Sequence, residues 1–221
     1  IELRILAHLS EDPALMKAFA DGLDIHRFTA AEVLGKKPED VTSTERSHAK
    51  AVNFGIVYGI GAFSLAKDIG VSNKEAKHYI ESYLAHYSGV DSYMKNVVEK
   101  ANADGYVETM FGRRRNLPEL TSSKHMIRAF GERVARNMPI QGTAADIIKI
   151  AMIKVDERMK DENLRARLVL QVHDELIVEA PQDESMRVAL IVQEEMENAV
   201  KMSVPLTADA AIGRTWYDAK G

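Results

Sequence analysis

Cysteine is absent from the 221 residues, which excludes disulfides, Cys-ligated metals and a thiol nucleophile. Also missing is any apolar run near the roughly 18 residues of a membrane span, and no signal peptide is visible. No membrane partner is therefore expected, and the cytoplasm is the expected location. Positive charge is in slight deficit: 29 Lys and Arg stand against 33 Asp and Glu. That balance excludes a protein basic all over but leaves room for a local basic track that holds nucleic acid. There is no internal repeat, low-complexity tract or clear linker. The chain opens on Ile1 rather than Met, and is expected to be a fragment. What remains is 46% hydrophobic and 28% charged, ordinary globular composition for one large or two small domains.

Helical signals fill the middle of the chain. Asp12-Pro13 starts a short helix through Ala20, and further helices are predicted near Arg27–Leu34, over Ala62–Ile69, from Ser72 to about Tyr87, and over Val90–Asp104. Ser122–Arg136 and Thr143–Lys160 read as helices separated or kinked by Pro139, the second with Ile147, Ile148, Ala151 and Val155 inward. Asp183–Met202 reads as another. Strand signals lie elsewhere. Residues 1–12 read as the end of a strand running into a short helix, Tyr106–Thr109 as the first arm of a small hairpin turning at Phe111-Gly112, and Val204–Ile212 as a last strand. Leu168–Val172 and Leu176–Val178 flank His173-Asp174-Glu175 and read as a hairpin with charge packed into its turn. The fold class expected is α+β: an antiparallel sheet backed by helices, with a helical subdomain inserted.

The stretch Thr42–Gly61, TSTERSHAKAVNFGIVYGIG, carries the densest signal. Thr42 and Glu45 have capping-box spacing, and Gly59 and Gly61 supply a stop. Arg46, Lys50, Phe54 and Tyr58 recur every four residues, and a drift of about 40° per step lays them in one slanting stripe. Arg46 and Lys50 are like charges at i,i+4 with no acid on the same face, so the pair asks for something anionic outside the helix. Phosphates at the cationic end, and base and sugar on the aromatics, would satisfy it. A solvated Arg and Lys followed by two core aromatics would show the same spacing. Gly55 breaks the local rule, since a mid-helix glycine costs about 1 kcal/mol against Ala, and it predicts close approach of another group. Asp174 and Glu175, adjacent on an otherwise apolar hairpin, suit an oxygen-seeking Mg²⁺ or a solvated turn. Tyr106 to Arg136 holds Arg113, Arg114, Arg115, Lys124, Arg128, Arg133 and Arg136 against Glu108, Glu119 and Glu132, a local basic excess able to hold phosphates in a salt-dependent way.

Arg-x3-Lys-x3-Phe-Gly-x2-Tyr-Gly resembles the fingers-helix motif of family A DNA polymerases, the bacterial DNA polymerase I type. LQVHDE is similar to that family's palm metal motif, Ile1-Glu2-Leu3-Arg4 to the end of its third block, and Asp24-Ile25-His26 to its fingers loop. ERVARNMPIQGTAADIIK resembles its minor-groove helix pair, and WYDAK its closing residues. The resemblance covers essentially the whole chain in the family's order. It implies that His26, Arg46 and Lys50 hold the triphosphate, that Phe54 stacks near sugar and base, and that Tyr58 lies by the template base and, with Glu2, polices the sugar. It implies DNA contacts from Arg133, Asn137, Gln141 and His173, with Arg113, Arg114 and Arg115 in the basic track. Asp174 would ligate Mg²⁺ with Glu175 close by, and two ions are expected in the complete site, whose other aspartate would lie four residues before Ile1.

The implied division is palm in residues 1–12, helical fingers in 13–105, and palm again in 106–221 with the metal hairpin at 167–181. The implied function is DNA-directed DNA polymerase, adding dNTPs to a primer 3′ end by two-metal phosphoryl transfer in replication and repair, as a monomer. Its catalytic residues would be Asp174, Glu175 and Lys50, and its partners primer-template DNA and dNTPs. Two other readings stand beside it: an inert nucleotide- and DNA-binding fragment without the first aspartate and the thumb, and a structural helical protein with an incidental motif.

Overall fold

Asp12 is a buried N-cap whose carboxylate accepts from the backbone N–H groups of Ala14 and Leu15, and Pro13 follows at the first helical position. Such local signals account for most of the helices in the computed structural model, which describes residues 1–220. In chain order the helices are α1 (Glu2–Ser10), α2 (Pro13–Ala20), α3 (Ile25–Leu34), α4 (Ser43–Val57), α5 (Ala62–Ile69), α6 (Asn73–His86), α7 (Ser88–Asp104), α8 (His125–Asp161), α9 (Ser185–Glu197) and α10 (Trp216–Lys220). The strands are β1 (Tyr106–Glu108), β2 (Arg114–Asn116), β3 (Arg167–Val172) and β4 (Glu175–Glu179). β1–β2 and β3–β4 form two separate antiparallel hairpins. The α+β class is as expected.

Residues 2–143 form one compact unit, and residues 144–220 with Ile1 form another. In the first, α4 and α6 each open on a capping box, Thr42/Glu45 and Ser72/Glu75. Ala30, Ala31, Val41 and Ala49 close a small core between α3 and α4, and Ala101, Val107, Leu117, Leu120 and Ala135 close another under the β1–β2 hairpin. In the second, β3 and β4 lay Leu168, Leu176 and Val178 against Val155, Met159, Val188 and Ile191. Ile147, Ile148, Ala151 and Val155 are all buried, as their spacing predicts.

Three expectations are corrected. Residues 1–12 hold no strand end: helix begins at Glu2, and Leu3, Leu6 and Ala7 bury one helical face, a 3.6-residue period that outweighs the local preference of Ile1 and Ile5 for strand. Residues 204–212 pair with no strand among the described residues. Pro205 lacks the N–H a ladder would use, and only Val204 of this stretch is buried. Pro139 does not divide the helices around it, which are one helix, α8, with Pro139 inside. Proline loses one i→i−4 bond and crowds the carbonyl four residues back, but the helix continues on both sides, and Pro139 is itself buried.

Candidate active site

The C-terminal end of α4 explains its glycines. Ile60 N–H donates to the Gly55 carbonyl at 2.8 Å and Gly59 N–H to that of Ile56 at 3.1 Å, with Gly59 at φ +65°. This is a Schellman motif, in which an apolar residue after the helix packs on the residue four places before the cap's glycine. Here that residue is Gly55. A Cβ there would run into Ile60 Cγ2, which is the close approach the sequence predicts. Gly59 in turn lies against α8, where an added Cβ would sit 3.2 Å from Arg133 Cγ.

Around this end four sequence-predicted residues meet. Tyr58 donates its phenol proton to the Glu2 carboxylate at 3.0 Å and also bonds the Gln141 side chain. Burial, then the Glu2 charge, push the phenol pKa up, against the Gln141 bond. Asn137 Nδ2 donates to the Val57 carbonyl at 3.5 Å. Arg133, Asn137 and Gln141 thus line one face of α8 beside the last turn of α4. A cleft of about 450 Å³ opens there, lined by Phe54, Tyr58, Gly61, Ser64, Asp68 and Arg133 among others.

The cationic end of the stripe is different. Arg46 Nε donates to Asp24 Oδ2 at 2.7 Å. The acid that relieves Arg46 lies outside α4, as the spacing asks, and comes from the protein itself: it is the N-cap of α3, 22 residues back. Burial opposes ionisation of Asp24, but Arg46 and the N–H groups of Arg27 and His26 outweigh it and hold the carboxyl below its usual range. Lys50 is exposed and makes no ion pair among the described residues. His26 is half-buried, with its ring centroid 5.8 Å from that of Phe54. Burial first, then the charge of Arg46, with a smaller push from Lys50, lower its pKa against the pull of Asp24. The result is an exposed ammonium, a guanidinium held by one carboxylate and a largely neutral imidazole, followed by two aromatics. That row has the donors to bind polyphosphate and the faces to stack a base.

In the second unit His173 and Asp174 form the turn between β3 and β4, and Glu175 begins β4. All three are exposed, and His173 takes a left-handed backbone, φ +54°. Asp174 has no side-chain partner among the described residues. Mg²⁺ takes one or two protein carboxylates and completes its shell with water and phosphate oxygens. Adjacent Asp174 and Glu175 fit that demand without forming a cage, and among the described residues no group of three or more His, Cys, Asp or Glu is gathered to hold a metal. The basic stretch of the first unit is partly committed to its own surroundings. Arg114 pairs with Glu108 at 3.3 Å and stacks on Tyr106 at 4.4 Å, Arg128 donates to the Ser122 and Ser123 carbonyls, and Arg136 pairs with Glu132. Arg115 is exposed with no such partner among the described residues.

The model of DNA polymerase family A matches residues 1–218. The chain belongs to that family. This family A chain is 54% identical over 220 residues to DNA polymerase I of Geobacillus stearothermophilus, covering 100% of this chain and 25% of that protein. It is 51% identical over 221 residues to DNA polymerase I of Streptococcus pneumoniae, with the same coverage. The POL domain of Pol1 from M. smegmatis, solved in complex with DNA primer-template and dNTP, matches with TM-score 0.95 at 45% identity, over 100% of this chain and 39% of that one. The chain spans about a quarter of the length of the curated relatives it matches.

Three residues in contact with the sequence-predicted ones escape the spacing argument. Asp24 is one; its signal was its place beside His26. Lys220 of α10 is another, lying 3.8 Å from Glu175 and 5.3 Å from the Trp216 ring centre. The third is Asn53, a fully buried amide. Its signal was an amide among Ala49, Val52 and Ile56, the apolar face of α4.

Proposed function

We propose that the chain is the nucleotide- and template-handling part of a DNA-directed DNA polymerase, which adds dNTPs to a primer 3′ end. The observation that carries this is the row His26, Arg46, Lys50, Phe54 and Tyr58, with Glu2 bonded to Tyr58, in a chain of family A. Residues 13–105 would be its helical fingers, and residues 1–12 and 106–221 its palm.

In this reading Lys50, Arg46 and His26 bind the triphosphate. Lys50 and Arg46 offset the negative charge that develops on the leaving pyrophosphate, electrostatic stabilisation of the kind phosphoryl transfer depends on. Phe54 stacks on sugar and base. The Glu2–Tyr58 pair stands at the far end of the stripe, where a fixed, hydrogen-bonded carboxylate disfavours a 2′-hydroxyl. Arg133, Asn137 and Gln141 donate to minor-groove acceptors, which present much the same pattern for all base pairs. Arg113, Arg114 and Arg115 draw in the backbone, and His173 contacts the primer end. Asp174, with Glu175, would hold Mg²⁺, which when bound acidifies the primer 3′-hydroxyl and shields the phosphates. The protein works as a monomer in the cytoplasm.

Primer extension on a primed template with Mg²⁺ and four dNTPs tests the reading in a polymerase carrying this chain. Lys50→Ala should weaken dNTP binding by about 10-fold or more, the loss of one charge-assisted contact. Asp174→Ala should abolish extension while leaving dNTP affinity within a few-fold. Full extension by Asp174→Ala would exclude the metal assignment, and unchanged dNTP affinity in Lys50→Ala would exclude the role given to α4.

A further inference from the structure

Beneath the His26 ring runs a chain of neutral polar groups that the proposed function leaves unused. Asn53, Thr29 and Tyr87 are each fully buried. Asn53 Nδ2 lies 3.0 Å from His26 Nδ1. The Thr29 hydroxyl donates to Asn53 Oδ1 at 3.3 Å, and the Tyr87 phenol lies 3.1 Å from Thr29 Oγ1. A hydrophobic residue at any of the three would avoid the cost of burying a polar group.

The direction of this chain follows from its closed end. Among the described residues Thr29 is the hydrogen-bond partner of the buried phenol, so Tyr87 donates to Thr29. The Thr29 proton then goes to Asn53 Oδ1. With its oxygen turned to Thr29, the amide turns its NH₂ group to the imidazole. An NH₂ group only donates, so His26 Nδ1 must accept, and in the neutral ring the proton sits on Nε2. Nε2 has no partner among the described residues and is not one of the buried unpaired atoms.

We propose that Asn53 is a positioning residue. Oriented by Tyr87 through Thr29, it holds His26 as the neutral Nε2–H tautomer, so that the ring offers a donor to a nucleotide phosphate oxygen. The proposal rests on the reading of His26 as a triphosphate ligand. In the other tautomer Nε2 would turn a lone pair toward that oxygen. The groups facing His26 agree with a neutral ring: burial, Arg46 and Lys50 disfavour a second proton, Asp24 opposes them, and the Asn53 donor leaves no room for a proton on Nδ1.

The test uses a polymerase carrying this chain, labelled with ¹⁵N-histidine, with the His26 signals assigned by their loss in His26→Gln. In the unsubstituted protein Nδ1 should show the shift of an unprotonated nitrogen and Nε2 that of a protonated one. A protonated Nδ1 overturns the proposal without any variant having to fold. Asn53→Asp keeps the shape and the acceptor for Thr29 but presents a carboxylate to Nδ1. It should protonate Nδ1 while Nε2 keeps its proton, because a facing carboxylate favours the doubly protonated ring. Thr29→Ser, which keeps the hydroxyl, should retain the original nitrogen shifts and KM. Unchanged shifts in Asn53→Asp overturn the chain of donors and with it the positioning role. If His26→Gln leaves the KM unchanged, the triphosphate reading of His26 has failed, and the nitrogen shifts still decide the tautomer.

Discussion

Replacing Gly55 by alanine sets two known effects against each other. Inside a helix the change should stabilise by about 1 kcal/mol, because alanine loses less backbone freedom. The new methyl would collide with Ile60 Cγ2, and Ile60 cannot easily retreat, since its backbone N–H is bonded to the Gly55 carbonyl at 2.8 Å. Forcing a methyl into such a contact costs about 1–3 kcal/mol. The net expectation is a loss of about 0–2 kcal/mol, although alanine is the better helix former. In an Ile60→Ala background the obstacle is gone, and the same change should stabilise by about 1 kcal/mol. Urea unfolding of the four proteins of this cycle, at constant m, gives the coupling directly, expected at about 1–3 kcal/mol. A gain of about 1 kcal/mol from Gly55→Ala in both backgrounds would refute the steric account of this glycine.

Three other perturbations test separate parts of the molecule. Thr42→Ala removes the acceptor for the Glu45 N–H at 3.2 Å and should cost about 1 kcal/mol in urea unfolding; no loss would deny the capping box a part in holding α4. Asp24→Asn keeps an N-cap acceptor for α3 but releases Arg46 from its carboxylate. Inorganic tripolyphosphate should then bind about 2- to 5-fold tighter by calorimetry, the worth of a half-exposed ion pair; weaker binding would mean that Asp24 orients Arg46 for the ligand rather than competing for it. The lowered His26 pKa means that the folded protein binds fewer protons than the unfolded chain between its depressed value and about 6.5. The His26 contribution is therefore complete above about pH 6.5 and is lost as pH falls toward the folded value. His26→Gln should flatten the dependence of the urea midpoint on pH in that window; an unaltered slope would place the titration elsewhere.

The parts legible from sequence are those whose causes are local. Capping boxes at Thr42 and Ser72, the Asp12-Pro13 start and the stop after Tyr58 each lie within a few residues, and the helices they bound appear where expected. The turn at His173-Asp174 is local in the same way. Long-range partners were not legible in the spacing. Asp24 reaches Arg46 from another helix and Lys220 reaches Glu175 from the far end of the chain, while Glu2 and Tyr58, 56 residues apart, were paired by the family resemblance and not by spacing. Spacing along one helix showed that Arg46 wanted an anion but not that the protein brings its own. Residues 204–212 failed for a related reason: an extended, β-branched segment is a strand only if another strand pairs with it.

The two ends of α4 are held by different means. No residue of its first six is buried, and its start is secured by Thr42, Glu45 and Lys36 at the surface. From Ala49 onward it buries Ala49, Val52, Asn53, Gly55, Ile56 and Val57, and it closes on Gly59 packed against Arg133. Opening free energies follow burial, so amide deuterium uptake along this one helix should be graded, rapid through Arg46 and slow beyond Val52. Arg46 therefore sits on the half that frays, while Phe54 and Tyr58 sit on the half that does not. An anion gripping Arg46 and Lys50 would bridge the two halves, and its binding should register first as slowed exchange in the opening turn of α4.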